Sequence, residues 1–209
     1  MSMSTQVLWK QPWSAEAERT LLQALAPCGC SMSELSSQHW DSKTSSIGGV
    51  RANHATYLAP ASDTWSSAML HLGSFLGEPL AAELSRLTGG PAIVLLEYDQ
   101  DAWGYALFDG GALVDRFWSV PAAVDTAPEE CMGNAEAVYS VFGVSPESVA
   151  PYIRHITEAE HGLKAFDDDE FTLGNHWVRV DFLRRLGLSY PAPGDTAGGR
   201  YIAIAEPGL

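Results

Sequence analysis

"LLEYDQDAWGYALFDGGALVDRFWS", Leu95 to Ser119, sets acids among the most apolar and aromatic residues of the chain. Gly110-Gly111 decides its reading, because the favoured two-residue hairpin turn needs positive φ at both central positions. With these glycines as the loop, Asp109 faces Ala112, Leu107 faces Val114, Tyr105 faces Arg116 and Trp103 faces Trp118. Asp99-Gln100-Asp101-Ala102 supplies the preceding turn, with Tyr98 facing Trp103 and Leu96 facing Tyr105. The result is a three-strand antiparallel meander. Period two then assigns Ala92, Val94, Leu96, Tyr98, Trp103, Tyr105, Leu107, Val114, Arg116 and Trp118 to one face. Ile93, Leu95, Glu97, Gly104, Ala106, Phe108, Leu113, Asp115 and Phe117 fall on the other. Both faces are largely apolar, so both need cover, and the helices that flank the meander in sequence are the natural source.

Asp99, Asp101 and Asp109 have an ordinary role here, since Asp favours turns by bonding its own backbone. Glu97 and Asp115 do not. In this register they lie diagonally across the central strand, with Gly104 and Ala106 leaving a groove between them. Paired carboxylates across a cleft can act as acid and base, at separations of roughly 5 to 9.5 Å in glycosidases. The plainer reading pairs each with an Arg or a helix cap, and it is favoured because other parts of a catalytic site are missing. The sequence has no G-x-S-x-G, no H-E-x-x-H, no phosphate loop and no dinucleotide fingerprint. No cofactor is expected. His54 and His71 read as packed or surface residues rather than ligands.

Charge is the most informative bulk property. The chain has 209 residues, long enough to bury a core as one domain, and a net charge of −14. Residues 91–130 hold eight acids and one base, and residues 131–209 hold eleven and six. Such a field repels nucleic acid and anionic membranes and attracts basic partners. No apolar run approaches the roughly 20 residues of a membrane span. "MSMSTQVLWKQPW" has no stretch resembling an export signal, so a cytoplasmic location is expected. Cys28, Cys30 and Cys131 are odd in number and read as reduced thiols. Cys28 and Cys30 form a C-x-C that has only His39 and Cys131 to complete it, and no metal site is expected.

Outside the meander, Ser14 caps a helix over "AEAERTLLQALAP", and residues 28–49 read as a long loop. "VRANHATYLAP" reads as a strand. Trp65, Met69, Leu72 and Leu76 form one helical stripe and Leu80, Leu84 and Leu87 another, with a break at Gly77 and Pro79. "LTGGP" closes the second of these helices. Residues 131–190 form a mainly helical section: Asn134 caps "AEAVYSVFG", Ser145-Pro146 opens a short helix, and Pro151 interrupts. "HGLKAFDDDEFTLG" is then a loop, and Asn175 caps "HWVRVDFLRRLGL". "GGRYIAIAEPG" reads as an edge strand. The expected fold is α+β, an antiparallel sheet of four or five strands with the meander at its centre.

Two features stand out as contact sites. The run Asp167, Asp168, Asp169 and Glu170, ending in Phe171, sets charge beside an aromatic anchor. Arg116, between Tyr105 and Trp118 and with Trp103 on the same face, can stack on aromatics and recognise an anion or small molecule. The profile of a small acidic protein without catalytic motifs resembles bacterial immunity and inhibitor proteins that mask basic partners, a resemblance of composition carried by no single residue. The favoured function is a non-enzymatic binding protein that engages a basic protein surface. A hydrolase using Glu97 and Asp115 and a small-molecule sensor on the Arg116 face are the alternatives.

Overall fold

The computed structural model describes residues 3–28, 30–34, 40–41, 46–47, 50–51, 55–70, 76–190 and 200–205. His39, His54, His71 and Leu72 lie outside them, as does most of the loop expected over 28–49. In chain order the strands are β1 (Met3–Trp9), β2 (Ser31–Glu34), β3 (Trp40–Asp41), β4 (Ser46–Ile47), β5 (Val50–Arg51), β6 (Ala55–Pro60), β7 (Ser66–Leu70), β8 (Pro91–Tyr98), β9 (Ala102–Asp109), β10 (Ala112–Trp118) and β11 (Arg200–Ala205). The helices are α1 (Ala15–Leu25), α2 (Gly77–Thr88), α3 (Ala135–Phe142), α4 (Pro146–Val149) and α5 (Val178–Arg185). The α+β class holds. The main sheet is larger than expected, with eight antiparallel strands in the order β10-β9-β8-β1-β7-β6-β11-β2, while β3, β4 and β5 form a small sheet of their own.

The meander exists, at one end of the sheet rather than at its centre. Gly110 and Gly111 adopt φ of 57° and 88°, and Asp109 faces Ala112 as expected. The other turn is one residue tighter. Asp99 and Gln100 both take positive φ, Asp101 N donates to Tyr98 O at 2.9 Å, and the loop closes so that Tyr98 pairs with Ala102 and Glu97 with Trp103. A slip of one residue exchanges the faces of a strand. Trp103, Tyr105 and Leu107 therefore join Ile93 and Leu95, while Ala102, Gly104 and Ala106 join Val94 and Leu96. This arrangement puts bulky residues together on one side and small ones on the other. On the small side α2 presses close, since a Cβ at Gly77 would meet Thr5 Cγ2 at 2.7 Å, and β10 crowds β9, since one at Gly104 would meet Phe117 O and, at 2.6 Å, the Trp118 ring.

A bulge at Val114 makes a second change, shifting the register so that Asp115 faces Leu107, Arg116 faces Ala106, Phe117 faces Tyr105 and Trp118 faces Gly104. Arg116 is thus not set between Tyr105 and Trp118. Three further assignments also change. The Trp65 to Leu76 stripe is not helical throughout, because Ser66–Leu70 is a strand between β1 and β6 with all five residues buried. A strand buried on both faces shows no period-two pattern, and a short apolar run then imitates a helix. Gly77 opens α2 instead of breaking it. β11 is bonded on both sides, to β6 and β2, and is interior rather than an edge.

Local signals elsewhere act as read. Ser14 Oγ accepts from Ala17 N, Asn134 Oδ1 accepts from Glu136 N and Ala137 N, and Gly89 ends α2 at φ 65°. Asn175 Oδ1 accepts from Trp177 N in the turn before α5, so the helix proper starts at Val178. Two layers cover the sheet. α1 and α2 bury Leu21, Leu25, Leu80 and Leu84 against Val7, Trp9, Val94 and Phe108. The section from α3 to α5 buries Val138, Tyr152, Phe182 and Leu183 against Leu95, Trp103, Tyr105 and Phe117.

No atom lies within 4 Å of a Cβ placed on Gly110, so a substitution there tests backbone conformation alone. Gly110→Val should lower stability by about 1–2 kcal/mol, the cost of a left-handed L-residue, whereas Gly110→Asn should be nearly neutral. Urea denaturation of the two variants checks this.

Candidate functional site

The face of β8, β9 and β10 that carries Trp103, Tyr105 and Phe117 meets α5 through stacked rings. Phe182 lies parallel to Tyr105 at 5.5 Å between centroids, and it also touches Trp103 at 5.4 Å and Tyr152 at 6.0 Å. Trp103 and Trp118 are both buried, Trp118 in the opposite core, so neither stands at the surface as a binding residue. Arg116 is half-buried and bonded to Glu78 at the start of α2. It braces the sheet to that helix.

Polar groups around this core sort the acids. Asp169, the third aspartate of the 167–170 run, has a fully buried carboxylate. It accepts from Tyr152 Oη at 2.6 Å, Phe166 N at 2.9 Å, Arg184 Nη2 at 3.0 Å and Arg185 Nη2 at 2.8 Å. Arg184 and Arg185 also bond Asp168, and the Arg185 hydrogen bond holds that carboxyl below its ordinary range. Burial, with the Asp169 hydrogen bond, pushes the Tyr152 phenol far above its ordinary value. Asp181 accepts from the backbone N–H of both Glu170 and Phe171, at 2.8–3.1 Å. Inside the run, then, Asp169 is a fastener, Asp168 a partner of two arginines, and Asp167 and Glu170 are exposed. A composition of four consecutive acids carries no sign of which one turns inward. The signal that could have singled out Asp169 is Arg184-Arg185 on a helix that already buries Asp181.

Glu97 and Asp115 share the Trp103 face, but Trp103 and Tyr105 rather than Gly104 and Ala106 lie between them. Their partners on β9, Trp103 and Leu107, are four residues apart, about 13 Å along a strand. Asp115 accepts from Tyr105 Oη at 2.6 Å and from Asn134 N at 2.8 Å, which ties β10 to the start of α3. Burial raises its pKa, and these bonds oppose the rise. Glu97 is buried and bonds Arg179 Nη1 at 2.7 Å, with His176 Nε2 at 3.6 Å. The Arg179 guanidinium lies 4.7 Å over the Trp177 ring and 5.8 Å from Tyr190. Each carboxylate is thus built into a separate structural contact, and the two do not face one another across a groove. The plainer sequence reading, an Arg partner for one and a helix cap for the other, describes this geometry.

His176, Arg179 and Tyr190 form a further cluster that sequence spacing did not suggest, because Glu97 reaches them from a strand some 80 residues earlier. Burial lowers the pKa of His176, and Arg179 adds to the effect against the pull of Glu97. Among the described residues no three of His, Cys, Asp and Glu are grouped to hold a metal ion. Cys28 and Cys30 are half-buried after α1 and Cys131 is buried, and none is in a disulfide; burial, and Glu83 for Cys28, raises the pKa of Cys28 and Cys131. No described helix is long and apolar enough to cross a membrane.

The remaining acids of residues 119–170 lie mostly outward, three of them on the segment 120–131, which packs against the α1–α2 core, and the others on the section from α3 to α5. Residues 119–170 hold eleven acids and two bases, and nine of the acids are exposed: Asp125, Glu129, Glu130, Glu136, Glu147, Glu158, Asp167, Asp168 and Glu170. Both bases are engaged within the layer, Arg154 by Glu160 at 2.9 Å and Lys164 by Asp169 O at 2.6 Å. Comparison of the chain with protein-family models, with curated proteins and with solved structures finds no match.

Two outcomes follow from this geometry. Asp169→Ala removes the acceptor of the buried Tyr152 phenol and of Phe166 N, and one of several acceptors of Arg184 and Arg185, and it should destabilise by about 1–3 kcal/mol, while Asp167→Asn leaves the thermal midpoint unchanged. Parallel thermal and denaturant melts measure both. For His176, the unfolded chain takes up a proton near pH 6.5 and the folded chain only at lower pH. Its contribution is therefore fully present above about pH 6.5 and declines as the pH falls through the lower folded value. Stability measured from pH 7.5 to 5 should fall less in His176→Gln than in the native protein.

Proposed function

We propose that this is a non-enzymatic binding protein of immunity or inhibitor type, acting in the cytoplasm, which engages a basic protein through its acidic helical layer. The observation that carries this reading is the separation of the acids. Those that hold the fold turn inward, and eight others, apart from Asp168 with its two arginines, stand exposed over residues 119–170, whose own two bases are already engaged. Exposed charge of one sign raises the rate of encounter with the opposite sign and weakens as salt screens it, over roughly 8 Å at physiological ionic strength. A hydrolase built on Glu97 and Asp115 has less support, since each carboxylate serves a separate structural contact. A sensor on the Arg116 face has less as well, since Arg116 is bonded to Glu78.

The contact residues expected are Asp167 and Glu170, with Phe171 half-buried beside the exposed Trp177 at 6.4 Å between ring centroids, and Glu129, Glu130 and Glu136. A variant with Glu129→Gln, Glu130→Gln, Glu136→Gln, Asp167→Asn and Glu170→Gln keeps size and removes five exposed charges. Affinity capture from the native cell should recover a protein of basic isoelectric point with the native chain and lose it with this variant, and the association rate should fall as salt rises. Equal recovery, or a rate that does not respond to salt, would reject the reading.

A further inference from the structure

β10 is an outer strand of the eight-stranded sheet, and the chain treats its two halves differently. The C-terminal half is covered, with Trp118 N donating to Cys131 O at 3.1 Å and Gly133 N donating to Arg116 O at 3.0 Å. The N-terminal half, 112–114, is exposed, and Leu113 and Val114 are 47% and 41% accessible. Met132, on the covering segment, and Tyr139, on α3 beside it, are 62% and 49% accessible. Four of the seven large hydrophobic residues exposed among the described residues therefore belong to this strand and the elements packed on it. Single exposed apolar residues need no explanation, but a group along an open sheet edge does. Protective edges carry Lys, Pro or an inward charge, and Ala112-Leu113-Val114 has none of these, only the bulge at Val114. Ala112 and Leu113 precede the bulge in regular register.

The surroundings select the occupant. Asp109 is exposed opposite Ala112, Glu136 is exposed two residues after Asn134, which bonds Asp115, and Glu130 is exposed beside Cys131. The nearest bases are engaged, Arg116 by Glu78 and Arg86 by Glu83. We propose that Ala112–Val114 is a docking edge that takes an extended segment of a basic protein as an additional strand. Main-chain hydrogen bonds would pair the segment with Leu113, whose N–H and C=O face away from β9 because Ala112 closes the hairpin on Asp109, its apolar side chains would meet Leu113 and Val114, and its Lys or Arg residues would meet the flanking carboxylates. The inference rests on the reading of a basic partner given above, and it adds the place and the mode of contact.

The probe is a synthetic peptide of alternating Lys and Val, nine residues long, together with the same peptide N-methylated at every backbone amide, which keeps the charge and blocks strand pairing along both edges. Amide exchange by NMR on the full chain should show slowed exchange at Leu113, the residue whose N–H faces away from β9, when the first peptide binds. Affinity should fall at least tenfold for the N-methylated peptide, and at least tenfold for Leu113→Lys with Val114→Lys, a change of two exposed residues that leaves the melting temperature intact. Loss of binding in the five-charge variant, with native affinity in the double Lys variant and for the N-methylated peptide, would overturn the docking edge and leave the acidic reading standing. Native affinity in the five-charge variant with loss in the double Lys variant would keep the edge and remove the acidic reading. Absence of binding by the first peptide, or protection that falls elsewhere, also overturns the edge.

Discussion

β8 and β9 are apolar on both faces, and everything else in the structure answers the need to cover them twice. Ala92, Val94, Ala102 and Ala106 turn to one side; Ile93, Leu95, Trp103, Tyr105 and Leu107 turn to the other, and every one of them is buried. Fully burying a large apolar side chain contributes roughly 1.5–3 kcal/mol, so neither face could be left to water. The small side admits two ordinary helices, α1 and α2, with Gly77 at the tightest point of α2 against β1 and β8. The bulky side receives a layer of a different kind. α3, α4 and α5 have eight, four and eight residues, linked by turns. Helices of that length are marginal alone, because nucleation is unfavourable and few bonds follow it.

The inward acids answer that weakness. Asp115 fixes the first amide of the α3 cap, Asp169 gathers Tyr152 and two arginines of α5, Asp181 holds the loop before α5, and Glu97 holds Arg179 at its start. Each joins one connecting loop or helix end to another part of the fold. Buried ion pairs of this sort are weak sources of net stability, since desolvation offsets much of the attraction, but removal of one member leaves the other stranded. Their role here is to make one arrangement of short elements better than its competitors. Aromatic stacking of Phe182 on Tyr105 and Trp103 supplies the apolar part of the same attachment.

The same layer carries the outward acids, and the two populations have opposite consequences. Inward carboxylates are matched by donors and lose their influence on the surroundings. Outward carboxylates repel one another and tend to expand the layer that bears them, and the section from α3 to α5 retains six of them. Their placement above a core closed by Asp169 and Asp115 means that the field is presented by a fixed surface and not by a mobile tail, which reduces the ordering required when a partner arrives. The free end of β10 lies at the margin of this surface, where backbone pairing and charge can act on one ligand.

Sequence alone determined the features whose physics is local. Gly110-Gly111 specifies its hairpin because the turn needs positive φ, Ser14 and Asn134 cap helices because a side-chain oxygen meets an N–H two or three residues on, and Gly89 ends α2 for the same conformational reason as the hairpin. The antiparallel meander, apolar on both faces, and the α+β class follow from such signals, and so does the excess of negative charge. Register, burial and placement were decided only by the tertiary structure. Whether the Asp99 loop holds three residues or four, and whether Val114 bulges, depends on how Trp103, Tyr105 and Phe117 pack against Phe182 from a helix some 65 to 80 residues later. Ser66–Leu70 becomes a strand because β1 and β6 lie on either side of it, and Asp169 turns inward while Asp167 stays in water because Tyr152, Arg184 and Arg185 converge on one point. Local chemistry sets what a residue can do; which of several equivalent residues does it is chosen by contacts summed over the whole core.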